Sequence, residues 1–81
     1  MDVPVVMPPM GDAAGELVLH RWFKAPGDPV RKGEPLFEVA TDKVEVSVEA
    51  LDSGTLAQVL LPEGDSAEEG QTIAYIALAD E

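Results

Sequence analysis

The chain has no cysteine and a single histidine, His20. Without thiols there is no disulfide framework, no thiolate metal centre and no cysteine nucleophile. One imidazole without a thiol partner does not make a zinc site, and the carboxylates show no ligand spacing, so no metal site is expected and His20 reads as a surface strand residue. Cations are scarce: five Lys and Arg stand against sixteen Asp and Glu, a net charge of −11. A protein that tracks phosphates needs a basic face, so nucleic-acid binding is excluded, and adhesion to anionic lipid is disfavoured for the same reason. No apolar run is long enough to span a bilayer. Met1–Pro4 carries neither the basic nor the hydrophobic region of a secretory signal. Aromatics are only 5% of the 81 residues, so one small core must be built from Val, Leu, Ile and Ala. Ser47, Ser53 and Ser66 have no base nearby for a hydrolytic triad.

What is abundant is punctuation. Seven Gly and seven Pro leave no interval suited to a typical helix. Between Leu36 and Ser53 the segment Val44-Glu45-Val46-Ser47-Val48-Glu49 alternates apolar and polar, the period of a half-buried strand with Val44, Val46 and Val48 inward. Strands are predicted near Val3–Met7, Leu17–Phe23, Leu36–Thr41, Val44–Ala50, Thr55–Leu60 and Thr72–Ala77, with short extended pieces near Pro29–Val30 and Ser66–Ala67. The fold class is all-β: a flattened barrel or sandwich of two roughly four-stranded antiparallel sheets.

An internal repeat runs at an offset of 37. Gly27-Asp28 corresponds to Gly64-Asp65, Gly33 to Gly70, Leu36 to Ile73, and Leu17 to Gly54. Two copies of one β unit imply a pseudo-two-fold axis, with each copy forming one sheet. The repeat inverts charge, since Arg31-Lys32 corresponds to Glu68-Glu69, which reads as two solvated turns. Between the copies, the strand ending near Thr41 and the strand starting at Val44 leave two residues, Asp42-Lys43, for a tight hairpin. The repeat sets this turn at the end opposite both chain termini, with Val46, Leu56 and Ile73 in the core. A hairpin-tip lysine is either an ordinary solvated turn residue or an amine presented to large partners, and both readings stand on the residues alone.

Thr41-Asp42-Lys43-Val44, following Gly33-Glu34-Pro35-Leu36-Phe37-Glu38-Val39, resembles the lipoyl domain of 2-oxo acid dehydrogenase complexes. Trp22-Phe23-Lys24 leading to Gly27-Asp28, the opening Met7-Pro8 with Gly11, and Glu63-Gly64-Asp65 through Gly70-Gln71 are similar to the same family. The likeness covers roughly residues 3–77. It departs from the family at Ala40, where glutamate is frequent, and at Glu16-Leu17, where a Glu-Gly pair is frequent.

The resemblance implies a carrier and not an enzyme, with lipoate in amide linkage to Lys43 and with Thr41, Asp42 and Val44 forming the turn that is recognised. It implies residues 1–78 as the domain and 79–81 as the start of a linker within a dihydrolipoamide acyltransferase. The implied partners are a thiamine-diphosphate 2-oxo acid decarboxylase component, an acyltransferase core, dihydrolipoamide dehydrogenase and a lipoylating enzyme. The isolated domain is expected to be monomeric. Its expected location is the bacterial cytoplasm, or the mitochondrial matrix where a transit peptide has been removed. The alternatives are a biotinyl carrier, whose family places Met on both sides of the lysine, and an unmodified interaction module.

Overall fold

The computed structural model describes residues 1–9, 17–41 and 45–78. Among them are eight strands and no helix: β1 (Asp2–Val6), β2 (Leu17–Trp22), β3 (Pro29–Val30), β4 (Pro35–Ala40), β5 (Glu45–Glu49), β6 (Gly54–Val59), β7 (Ser66–Ala67) and β8 (Thr72–Leu78). The elements match those read from alternation and turn residues, with boundaries displaced by a residue or so. Residues 79–81, expected to begin a linker, lie outside the described residues.

The strands form two antiparallel sheets, ordered β1-β8-β6-β3 and β5-β4-β2-β7. Leu19, Leu36, Phe37, Val39, Leu56, Ile73 and Ile76 are almost wholly buried between the sheets, and no polar side chain is buried among the described residues. Burying a Leu, Ile or Phe side chain contributes about 1.5–3 kcal/mol. This aliphatic centre is therefore the main source of stability in a domain with so few aromatics. Trp22 packs against the core edge, its ring centroid 5.2 Å from that of Phe37. The polar end of its indole is satisfied, because Nε1 donates to the Leu61 carbonyl at 2.8 Å.

The repeat is written in the backbone hydrogen bonds. Gly27 N–H donates to Leu56 O at 2.7 Å, and its counterpart Gly64 N–H donates to Leu19 O at 2.8 Å. Glu34 N–H to Arg31 O is matched by Gln71 N–H to Glu68 O. Among the described residues the positive-φ positions are Gly27, Gly33, Gly64 and Gly70, two pairs separated by 37, so both copies make the same left-handed turns that favour glycine. Both also carry a bulge: the β2–β4 register shifts between Leu19 and Arg21, and the β6–β8 register between Leu56 and Gln58. The bulged residues, His20 and Ala57, are counterparts.

Two expectations are corrected. Each copy does not form its own sheet, because the short strands are exchanged: β3 of the first copy pairs with β6 of the second, and β7 of the second with β2 of the first. The exchange covers the outer edges of β6 and β2, which would otherwise present unpaired N–H and C=O groups. Val46 is not in the core and is 40% exposed. It lies opposite buried Val39. However, β5 is an edge strand with a neighbour on one side only. Val48, opposite Phe37, is partly buried and does pack on the core, as do the fully buried Leu56 and Ile73.

Candidate functional site at the hairpin end

The topology sets the two ends of a molecule 40 Å long. Val30 in β3 pairs with Gly54, which also pairs with Leu78, and β3 leads through four residues to Pro35, the start of β4. At the other extreme Ala40, the last residue of β4, pairs with Val18, which also pairs with Ser66 of β7. β7 leads through four residues to Thr72, the start of β8. Ala40 and Thr72 therefore share one end, and Pro35 and Leu78 share the other. Met1 is at the Leu78 end, since its carbonyl accepts from Leu78 N–H at 3.0 Å.

The β4–β5 ladder pairs Glu38 with Ser47, Val39 with Val46 and Ala40 with Glu45. Its centre falls between positions 42 and 43. Asp42, Lys43 and Val44 lie outside the described residues, as does the expected two-residue turn. Thr41 is described: it is half-buried and follows the last residue of β4. The described residues that flank positions 42–44, Thr41 and Glu45, stand at the end away from Met1 and Leu78. Of the other lysines, Lys24 has its Nζ 3.4 Å from Glu34 Oε1, and Lys32 stands in the turn between β3 and β4, at the opposite end.

At the base of the hairpin the fold brings His20, which in the sequence reads as an isolated surface residue, to Glu38 and Glu45. His20 Nε2 lies 3.8 Å from Glu38 Oε1 and 4.0 Å from Glu45 Oε2. One ligand-type atom from each of the three residues lies within 4.8 Å of the others. The residues come from three neighbouring strands, with His20 carried at the bulge, so no spacing along the chain could signal them. The cluster is open to water, with His20 and Glu45 side chains 51% and 58% exposed.

The two counterpart turns differ in charge: Glu68 and Glu69 turn toward the hairpin end, whereas Arg31 and Lys32 turn at the other, where Glu34 and Glu49 also stand. In that opposite turn the Arg31 backbone N–H donates to Glu34 Oε1 at 2.9 Å. This bond, helped by Lys24 and opposed by slight desolvation, holds the Glu34 carboxyl below the ordinary glutamate range. An exposed groove near the middle of the molecule is lined by Trp22, Phe23, Lys24, Pro26, Val59 and Glu63.

A family model described as "Biotin-requiring enzyme", covering biotin and lipoyl domains, matches residues 3–76. The dihydrolipoyllysine-residue acetyltransferase component of the acetoin cleaving system of Bacillus subtilis is 40% identical over 81 residues, covering all of this chain and 20% of that protein. The corresponding component of the pyruvate dehydrogenase complex of Corynebacterium glutamicum is 40% identical over 76 residues, 94% of this chain and 11% of its own length. The chain thus spans a fifth or less of these relatives. The solution structure of the lipoyl domain of the 2-oxoglutarate dehydrogenase complex from Azotobacter vinelandii superposes with a TM-score of 0.73 at 26% identity, covering 98% of both chains. An all-β pseudo-symmetric sandwich, a β4–β5 ladder that runs to the end opposite Met1 and Leu78, and a family match across 3–76 lead to one conclusion: the chain belongs to the biotin and lipoyl domain family and is of the lipoyl-domain type.

Proposed function

We propose that this domain is a lipoyl carrier whose lipoate is joined in amide linkage to Nζ of Lys43, with Thr41, Asp42 and Val44 as the recognised turn. The observation that carries the reading is the β4–β5 register, centred between positions 42 and 43 at the end remote from Met1 and Leu78. When bound, lipoate supplies dithiol–disulfide and acyl-carrying chemistry that no side chain here provides. The chain's own part is presentation. A two-stranded ladder gives the amine a fixed base, and amide formation removes its charge. A tether at the far end keeps the arm clear of the linker and at high effective concentration near each active site.

On this reading the domain is non-catalytic and belongs to a dihydrolipoamide acyltransferase. It serves the 2-oxo acid decarboxylase component, the acyltransferase core and dihydrolipoamide dehydrogenase. Asp42 and Val44, where biotinyl domains place methionines, favour lipoate over biotin.

The test is incubation of the domain with a lipoate–protein ligase, lipoate and ATP, followed by intact mass and fragmentation. One lipoyl group on Lys43, absent from a folded Lys43→Arg variant, is expected. Modification of Lys24 or Lys32, or modification by a biotin ligase alone, would overturn the proposal. Exchanging Asp42 and Lys43 keeps composition and charge but moves the amine by one position, and it should suppress modification. Equal modification of the exchanged variant would show that exposure alone is recognised.

A further inference from the structure

The pseudo-symmetry gives every residue at the hairpin end a counterpart at the opposite end, and two counterparts differ greatly in size. Met7 N–H donates to Gln71 O and its carbonyl accepts from Gly70 N–H; Ala50 N–H donates to Glu34 O and its carbonyl accepts from Gly33 N–H. Gln71 and Gly70 are the repeat partners of Glu34 and Gly33, so Met7 and Ala50 are counterparts. Leu17 and Gly54, each the first residue of its strand, are counterparts at the offset of 37. All of Met7, Leu17 and Ala50 are buried in one cluster. At these two positions the hairpin end carries methionine and leucine and the other end alanine and glycine, whereas at a third, Ala67 and its counterpart Val30, the larger side chain is at the other end.

The glycine is a requirement of its own end. A Cβ on Gly54 would overlap the Ala77 carbonyl oxygen and come within 2.9 Å of its carbonyl carbon and 3.0 Å of Leu78 Cα. Leu17 carries a full side chain, 1% exposed, where the repeat would bring the Ala40–Thr41 peptide equally close. A backbone arrangement like that at Gly54 is sterically closed to leucine, so the approach of β2 to the end of β4 must differ from the approach of β6 to β8. β8 continues as strand to Leu78, whereas β4 ends at Ala40, the counterpart of Ala77.

We infer that Met7 and Leu17 form an apolar plug that sets the stance of the β4–β5 hairpin, and that Leu17 is a positioning residue for modification of Lys43. Neither touches the reacting groups. The plug fills the core at the end from which the hairpin projects, and it spaces β4 from β2 there. The inference rests on the carrier reading of Lys43 and adds the device that holds the amine in its presented position. A shift of about an ångström in a reacting group can cost roughly a hundredfold in rate, so a packing residue at this place has leverage.

The test uses ligase-catalysed lipoylation of the folded domain at a temperature where circular dichroism shows every variant native. Leu17→Ala and Met7→Ala, the latter installing the residue used at the other end, should each lower kcat/KM about tenfold or more. Leu17→Met, which conserves volume, should restore the rate to within about twofold. Val30→Ala, a core truncation at the opposite end, should leave the rate unchanged. Amide hydrogen exchange supplies the structural readout: Leu17→Ala should speed exchange at Ala40 and Glu45 and leave Asp2 and Ala77 unaffected. Unchanged lipoylation of Leu17→Ala and Met7→Ala, or equal slowing by Val30→Ala, overturns the inference while the carrier reading stands. A wild-type domain that no lipoate ligase modifies defeats the carrier reading first, and the inference with it.

Discussion

Met7 and Leu17 stand at one end of the domain where Ala50 and Gly54 stand at the other, with Ala67 and Val30 in the reverse order of size; where Arg31 and Lys32 turn at one end, Glu68 and Glu69 turn at the other. Yet the backbone bonds that make these turns are the same in kind and nearly the same in length, 3.0 Å for Glu34 N–H to Arg31 O and 3.1 Å for Gln71 N–H to Glu68 O. A repeated β unit imposes turns, bulges and strand pairing, because those depend on main-chain groups that every residue carries. It leaves side-chain volume and charge free. Those freedoms are used differently at the end that frames Lys43 and at the end that holds Met1 and Leu78.

The largest effect is expected from forcing the two ends to match. Gly54→Leu copies Leu17 into a place where even Cβ overlaps the Ala77 backbone. Neither strand can yield without breaking its ladder, so the loss should be about 4 kcal/mol or more, enough to leave a small domain largely unfolded at 25 °C. A urea midpoint close to wild type would show that the ends are more alike than their counterparts indicate.

Next come Leu36→Ala and Ile73→Ala, which truncate counterparts that are both essentially buried. Each should cost about 2–5 kcal/mol, and the two values should agree within about 1 kcal/mol if the central layer is symmetric. Chemical unfolding of both variants gives the comparison directly, and a wide disagreement would place the asymmetry in the centre and not at the ends.

Exchanging the charged pairs, by Arg31→Glu, Lys32→Glu, Glu68→Arg and Glu69→Lys together, preserves net charge and reverses the charge pattern of the two turns. The turn bonds involve backbone groups, so stability should change by no more than about 0.5 kcal/mol per site in a urea titration. A cooperative loss would mean that the charge pattern supports the fold itself.

The smallest effect separates Glu34 from its counterpart Gln71. Both accept a backbone N–H, from Arg31 at 2.9 Å and from Glu68 at 3.3 Å, but only Glu34 can be neutralised by acid. Its carboxyl is held below the usual glutamate range chiefly by the Arg31 N–H. The stabilisation is therefore present above the ordinary glutamate pKa and is lost as pH falls through the lowered native value. In an NMR titration the Arg31 amide should shift at lower pH than expected for a free glutamate, while the Glu68 amide shows no titration transmitted from Gln71. Glu34→Gln should remove the Arg31 transition, and persistence of that transition would assign it to another group.

Much of this was legible in the chain because it is local. Gly27, Gly33, Gly64 and Gly70 mark left-handed turns wherever they occur, and alternation over Val44–Glu49 defines a strand by its own period. The offset of 37 then relates the halves without any coordinates, and a register centred between positions 42 and 43 is implied once the strands on either side are assigned. Other features follow only from pairings between distant segments. The exchange of β3 and β7 depends on which sheet edges lack a partner. The 40% exposure of Val46 comes from its place on an outer strand, although its alternation is the same as that of an inner one. The approach of His20 to Glu38 and Glu45 requires three strands side by side and a bulge to carry the imidazole. Leu17 and Gly54 occupy equivalent places in the sequence repeat, and only the packed backbone decides that one must be bare and the other can be buried. Chain period and turn chemistry act over a few residues, whereas edge position, burial and close approach are properties of neighbours that the chain meets only after it has folded.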